Sequence, residues 1–121
     1  MFDADMPSVF TAHVRRARSA HKCCECDHPI LPGQQYEDYR GCYNGHWDSF
    51  ATCSFCIVAR EVIRDAYEGM WEFEHVAEMG FEAGILTADE DDQRTRGDVL
   101  RAFGEQLQLQ ERQRARVRQG D

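Results

Sequence analysis

Two pairs of cysteines, each with Cys-x-x-Cys spacing, constrain this chain more than any other feature of its sequence. Cys23 and Cys26 form the first pair, Cys53 and Cys56 form the second, and 26 residues separate the two pairs. Such a turn presents two thiolates to one ion, and zinc in structural sites takes four ligands in a tetrahedron. The spacing therefore predicts one structural zinc ion whose closed ligand shell leaves no position for a substrate water.

Two other interpretations of these cysteines stay open, a redox-active dithiol and unrelated buried thiols. The N-terminus has neither a basic start nor an apolar run, so a secreted, disulfide-bonded protein is not expected. The expected compartment is a reducing cytoplasm, where paired cysteines are more often metal ligands than disulfides.

The chain also carries Cys24 and Cys42. If Cys23 is a ligand, the first pair has the same spacing as the second. If Cys24 were the ligand instead, the spacing would be Cys-x-Cys. Cys24 is therefore predicted not to bind the metal. Cys42 is expected to be a packing residue, far along the strands from the two pairs. His21 and His28 flank the first pair and remain alternative ligands.

The residues between the two pairs are typical of a β-hairpin over 34–52. Asn44-Gly45 is a two-residue turn signal with aromatic residues on both sides. Because the two strands begin and end side by side, the hairpin would bring the cysteine pairs together. The second pair comes directly before a helical pattern, whose free N–H groups and positive dipole end favour thiolates.

Apolar residues at helical spacing predict one helix over 54–70 and a second over 71–86. The apolar face of the first is predicted to hold Phe55, Ala59, Val62, Ile63, Ala66 and Met70. That of the second is predicted to hold Phe73, Val76, Ala77, Phe81 and Ile85. A third helix is predicted from Asp98, which would act as its N-cap.

The third helix carries a heptad-like stripe formed by Leu100, Phe103, Leu107, Gln110, Arg114 and Val117. Such a stripe pairs two chains into a homodimer or docks on the protein's own core, and both alternatives stay open. Taken together, the elements predict an α+β fold of the treble-clef type, made of zinc knuckle, β-hairpin and helix, with additional C-terminal helices.

The predicted organisation has four parts. A leader of largely irregular structure occupies 1–20, and the zinc domain with its acidic helices occupies 21–86. A polar linker over 87–97 then leads to an amphipathic C-terminal helix and tail over 98–121.

Three motifs carry a resemblance: the stretch HKCCECDHPILPGQQYE, the Gly, Trp and Phe of the hairpin, and TCSFC. With these motifs the chain resembles a group of uncharacterised zinc-binding proteins common in phages and prophages. The resemblance covers residues 19–60, about a third of the chain. Asp27 departs from the usual knuckle, which has Gly after its second cysteine, but Asp tolerates the left-handed conformation. The resemblance implies a bacterial host cell as the location and a host defence complex, such as a CRISPR assembly, as the target.

The formal net charge is −8, and residues 61–97 carry 11 acidic against 3 basic side chains. This excess works against general nucleic-acid binding and favours a basic protein partner. Two acidic series at helical spacing are each predicted to lie on one helical face: Glu61, Asp65, Glu68 and Glu72, then Glu74, Glu78 and Glu82. The predicted function is a protein-interaction module that binds, and could inhibit, a basic protein complex.

A nucleic-acid-binding regulator is the alternative. It would use the basic residues before the first knuckle, which are Arg15, Arg16, Arg18 and Lys22. Hairpin aromatics such as Tyr43 and Trp47 could then stack on bases.

An enzyme is not expected. His46 and Asp48 share one face of a strand, but a catalytic metal needs a third ligand that the neighbouring sequence lacks. His75 belongs to no ligand pattern. A membrane partner is not expected either, because no stretch approaches the roughly 18 apolar residues of a span.

Overall fold

The computed structural model describes residues 9–119, which form two antiparallel sheets and three helices. The strands are β1 Val9–Arg16, β2 His21–Lys22, β3 Pro29–Ile30, β4 Gln35–Tyr43 and β5 His46–Cys53. The helices are α1 Ser54–Asp65, α2 Val76–Glu82 and α3 Arg96–Gln119. The predicted mixture of α and β elements is therefore confirmed.

The predicted hairpin is formed by β4 and β5. The two strands pair antiparallel from Tyr36↔Cys53 to Tyr43↔His46. The turn residues at 44 and 45 have φ values of 51° and 82°, the two positive values that a type I′ turn requires. The hairpin therefore ends at the second cysteine pair, as the sequence predicts.

Residues 9–16 form a strand, so the irregular leader predicted over 1–20 is wrong in this part. β1 pairs antiparallel with β4 from Val9↔Cys42 to Arg16↔Gln35, which gives the sheet order β1-β4-β5. Apolar residues at positions 10, 12 and 14 alternate with polar ones, and this period of two is compatible with a strand. The first eight residues of the predicted leader lie outside the described residues.

The core lies where α1 and α3 cross. Ile63 of α1 and Leu100 of α3 are fully buried there, together with Val76 of α2. At the crossing, a Cβ added to Gly104 would stand 1.9 Å from the carbonyl oxygen of Phe55. The two backbones can approach this closely only because residue 104 has no side chain.

α1 and α2 are both shorter than predicted. α1 ends at Asp65, and left-handed backbone at Glu68 (φ 57°) and Gly69 (φ 84°) turns the chain away from the helix axis. α2 begins only at Val76, after Glu74 with φ 71°. The helix predicted over 71–86 is wrong outside 76–82, because left-handed residues interrupt an apolar period that continues past them.

Thr95, rather than Asp98, caps α3. The Oγ1 atom of Thr95 accepts a hydrogen bond from the backbone N–H of Asp98 at 3.0 Å. In return, the Asp98 carboxylate accepts one from the backbone N–H of Thr95 at 3.2 Å. This reciprocal pair is a capping box, so the N-cap prediction is wrong by three positions.

The first part of α3 packs against the body of the protein, with contacts as far as Gln108, and its end is exposed. Leu100 is fully buried, whereas Val117 is 71% exposed and residues 120 and 121 lie outside the described residues. The predicted stripe therefore docks on the protein's own core in its first half, and the pairing of two chains through the rest stays a prediction. Within residues 9–119, no helix has the length and apolarity needed to cross a membrane.

Candidate metal centre

The four cysteines predicted as ligands lie together. The Sγ atoms of Cys23, Cys26, Cys53 and Cys56 are all within 4.8 Å of one another, and all four residues are buried. The Sγ atoms of Cys26 and Cys53 are 3.8 Å apart. A tetrahedron with metal–sulfur bonds of about 2.3 Å has edges of about 3.8 Å. The arrangement could therefore hold one metal ion.

The first pair is positioned by a tight turn between β2 and β3. The backbone N–H of Asp27 donates to the carbonyl of Cys23 at 3.0 Å, and that of Cys23 donates to the carbonyl of His28 at 3.0 Å. Asp27 has φ 63°, the left-handed conformation predicted for this position. The second pair comes from the end of β5 and the first turn of α1.

The four thiols compete for shared hydrogen bonds. Those from Cys26, Cys53 and Cys56 lower the pKa of Cys23, whereas hydrogen bonding with Cys23 raises the pKa of Cys26 and of Cys56. The hydrogen bond with Cys23 opposes the shift at Cys53, but those from Cys26 and Cys56 lower the pKa of Cys53 too, so two of the four positions favour the thiolate. A bound divalent cation would stabilise the thiolate form of all four.

Cys24 lies outside this group. Its Sγ atom is 3.5 Å from Oγ1 of Thr52 and 3.7 Å from a carboxylate oxygen of Glu25, and its backbone N–H donates to the carbonyl of Ala51. Burial raises the pKa of the Cys24 thiol, which keeps it protonated. The sulfur cluster therefore uses Cys23 and leaves Cys24 against the hairpin.

Glu25, inside the first knuckle, has a structural role that the sequence did not reveal. It is only 8% exposed, and its carboxylate accepts hydrogen bonds from the backbone N–H groups of Glu74 at 2.8 Å and Val76 at 3.2 Å. Burial raises the pKa of Glu25 to about 7. It fastens the start of α2 to the knuckle, although a charged residue between cysteines would be expected in solvent.

His21 and His28, the predicted alternative ligands, both contact other groups. The ring of His21 stacks on Tyr36 with centroids 4.8 Å apart. Nε2 of His28 lies 2.6 Å from Oδ1 of Asp98, and this hydrogen bond lowers the pKa of Asp98. His28 thus ties the knuckle to the start of α3. Next to this bond, a Cβ on Gly97 would stand 2.8 Å from the Cα of Cys26, so α3 packs directly on the knuckle.

The residues considered for catalysis lie elsewhere. His46 and Asp48 are exposed on β5 near the hairpin turn, and Cys42 pairs with exposed Trp47 across the strands. Within residues 9–119, the four cysteines form the one group of three or more candidate metal ligands. The absence of an enzymatic function stays a prediction.

The basic residues before the first knuckle do not share one surface. Side chains alternate along β1, so Arg15 and Arg16 point to opposite faces of the sheet. Arg15 lies 3.6 Å from Asp38, and Arg16 donates to the carbonyl of Gly33 at 3.1 Å. Arg18 is exposed outside the strands, and Lys22 lies 3.6 Å from Asp27.

The acidic residues of the two predicted series are exposed, except for Glu72, which is half-buried. His75 lies 3.9 Å from Glu72 and 3.4 Å from Glu78. Among the described residues, no other basic side chain comes within 4 Å of any of the seven acids. The prediction that each series follows one helical face is wrong, because α1 ends at Asp65 and α2 begins at Val76.

Arg60 is a second structural residue that the sequence did not reveal. It is 5% exposed and donates to both carboxylate oxygens of Glu37, at 3.1 and 2.7 Å. Its guanidinium group also lies 4.0 Å from the centre of the Trp71 ring. Arg60 therefore links α1 to β4 and to the segment before α2.

Comparison with protein-family models, with curated proteins and with solved structures found no match to this chain. The assignment of function therefore depends on the residues themselves. The cysteine cluster identifies a candidate metal centre, and its surroundings link that centre to all three helices.

Proposed function

We propose that this chain is a zinc-stabilised protein-interaction module in which a treble-clef-like frame presents the acidic segment 61–82 to a basic protein surface. The proposal has two parts, a structural metal and a docking surface. They depend on different residues and are tested separately.

Zinc is the proposed ion because the donor set consists of four sulfur atoms. Thiolates select zinc among the common divalent ions, and four of them close a tetrahedral shell. Cys23, Cys26, Cys53 and Cys56 are buried, and their surroundings are structural contacts to α2 and α3. A closed, buried shell supports a structural role for the ion and a reducing compartment for the protein.

The observation that carries the docking proposal is the lack of basic partners around the acidic residues. Of the seven acids, only Glu72 and Glu78 lie within 4 Å of a basic side chain of residues 9–119, and that side chain is His75. Unpaired like charges repel one another, so they stabilise neither α1 nor α2. A basic partner surface would relieve this repulsion and supply the missing ion pairs.

Exposed apolar groups lie in the same segment. Val62 is 39% exposed beside Glu61 and Asp65, and Met70 is 44% exposed shortly after α1. Protein interfaces combine apolar contacts with a charged rim, and methionine adapts readily to a partner surface. These residues support a protein partner rather than a purely solvated face.

The finer proposal concerns the partner's class. If the resemblance to phage and prophage zinc proteins reflects origin, the partner is a host complex with a basic groove, and occupation of that groove would inhibit it. A nucleic-acid-binding groove carries the required positive charge.

The test is affinity capture with the tagged chain from nuclease-treated bacterial lysate, followed by mass spectrometry. We expect one stoichiometric partner that is released at about 1 M salt, where the Debye length falls to ~3 Å. The decisive variant neutralises three exposed acids in and after α1, by the substitutions Glu61→Gln, Asp65→Asn and Glu68→Gln. It should raise Kd on the order of tenfold, since each exposed ion pair contributes roughly 0.2–1 kcal/mol.

A matched control removes the same charge from the loop before α3. It carries the substitutions Asp89→Asn, Glu90→Gln and Asp91→Asn, all at exposed positions. The control should keep the wild-type affinity. If both variants weaken partner binding equally, net charge alone explains the effect, and this result would contradict a specific docking surface.

A further inference from the structure

A basic groove runs between the start of α1, the first knuckle and one face of α3. Its volume is about 400 Å³, and its lining includes Arg16, Arg101 and Arg112. No Asp or Glu of residues 9–119 lines it, although the whole chain carries 22 acidic against 14 basic residues. The fold therefore separates this groove from the acidic segment.

The floor of the groove is held rigid by packing between helices. Gln108 of α3 donates from Nε2 to the carbonyl of Ser54 at 3.3 Å, one turn after the close approach of Gly104 to Phe55. Arg101 lies 4.8 Å from the centre of the Phe55 ring. Arg101 and Arg112 are thus carried by a helix that packs closely on α1 before any ligand binds, which lowers the entropy cost of binding.

The spacing of the arginines favours an extended anion. Arg101 and Arg112 are eleven residues apart on α3, which places them on nearly the same face and about 16 Å apart along the axis. This separation suits two different phosphates of one nucleic-acid strand better than a single phosphate. Arg16 adds a charge from β1, and among the described residues neither Arg16 nor Arg112 is in an ion pair, whereas Arg101 is paired with Glu105.

The start of α1 adds to the field in the groove. Ser54 and Phe55 line the groove, the first turn of α1 contains no acidic residue, and no side chain caps it. The positive end of the helix dipole therefore faces the same space as the arginines.

We propose that this groove binds the sugar-phosphate backbone of a nucleic-acid strand. The contacts are phosphate contacts, so binding should be tolerant of sequence and strongly dependent on salt. The proposal is independent of the acidic surface, because none of the seven acids of segment 61–82 lines the groove.

The competing explanation is that the arginines compensate the metal centre. Four thiolates around one divalent cation carry a net charge of about −2, and Cys53 lines the groove. This explanation predicts that loss of the arginines weakens metal retention. The nucleic-acid proposal predicts that it weakens strand binding and leaves the metal in place.

The experiment is fluorescence anisotropy with labelled 20-nucleotide dT and U strands at several KCl concentrations. We expect the metal-loaded wild type to bind in 50 mM KCl, and R16A/R112A to bind on the order of tenfold more weakly. For single strands the slope of log K against log[salt] should fall in magnitude by about 1.4, or about 0.7 for each lost phosphate contact. Both side chains are exposed, so the variant should keep its fold, checked by circular dichroism.

The matched control, R15A/R18A, removes the same charge from exposed positions outside the groove. It should bind like the wild type. Four results would overturn the proposal: no binding by the wild type, a greater loss in the control, loss of zinc from R16A/R112A with unchanged strand binding, or displacement of the strand by poly-glutamate as readily as by unlabelled strand.

Discussion

The cysteine centre and the acidic segment 61–82 contrast in how their polar groups are satisfied. Around the centre, Glu25, His28 and Asp98 each contact a named partner that joins two elements of the fold. Along the segment, most carboxylates face solvent without a basic neighbour among the described residues. Polar groups of the first kind hold a fold together, whereas those of the second kind are available to another molecule.

The largest effect should come from removing a metal ligand. Cys53→Ser deletes one of four thiolates, and structural zinc contributes roughly 10–16 kcal/mol to small zinc domains. That exceeds the 5–15 kcal/mol by which typical domains are stable. We expect an unfolded, metal-free chain by circular dichroism and elemental analysis. Cys24→Ser is the control and should keep one zinc per chain, and a folded Cys53→Ser protein would contradict a structural metal.

A smaller but still large loss should follow from Arg60→Met. The substitution keeps the apolar stem and leaves the Glu37 carboxylate without its partner in a site where its side chain is 14% exposed. Breaking a buried ion pair costs about 3–5 kcal/mol. We expect a loss of this size in the free energy of unfolding of the variant, measured by denaturant unfolding. The double variant E37Q/R60M should recover part of that loss, because the unpaired charge is then gone. Additive losses would show that the pair is not energetically coupled.

Gly104→Ala should destabilise the protein by about 2 kcal/mol. The added methyl group would collide with the backbone of α1 at Phe55 and force the helices apart, and overpacking costs about 1–3 kcal/mol. Alanine favours a helix by up to ~1 kcal/mol over glycine, so any loss of stability must come from the contact. Gln106→Ala at an exposed position of α3 is the control and should leave the melting temperature nearly unchanged.

Asp98→Ala should cost about 1 kcal/mol, similar to the usual effect of losing a side-chain bond at a helix start, although the Thr95 cap itself is kept. It removes both the return bond of the capping box and the contact with His28. Hydrogen exchange should therefore quicken in the first turn of α3 more than in α1. Uniform acceleration in both helices would indicate that Asp98 acts on global stability and not on this junction.

The sequence predicted the parts of the fold that depend on local rules. Cys-x-x-Cys spacing, the Asn44-Gly45 turn and the helix after the second pair each have a short-range cause, and each is present. The pattern Thr95-x-x-Asp98 has the spacing of a capping box, so this cap could also have been recognised from the sequence. The sequence could not show the burial of Glu25 and Arg60, because their partners Val76 and Glu37 are 51 and 23 residues away.

The smallest effect on stability should come from the acidic segment. E61Q/D65N removes two exposed like charges that are four residues apart on α1, whose repulsion costs roughly 0.2–0.5 kcal/mol. We expect the melting temperature to stay constant or rise slightly in low salt, and the difference to shrink as salt screens the charges. A loss above about 1 kcal/mol would mean that these carboxylates support the fold, as Glu25 does. An unchanged melting temperature together with weakened partner binding would show that these carboxylates contribute to binding, whereas the cysteine centre contributes to folding.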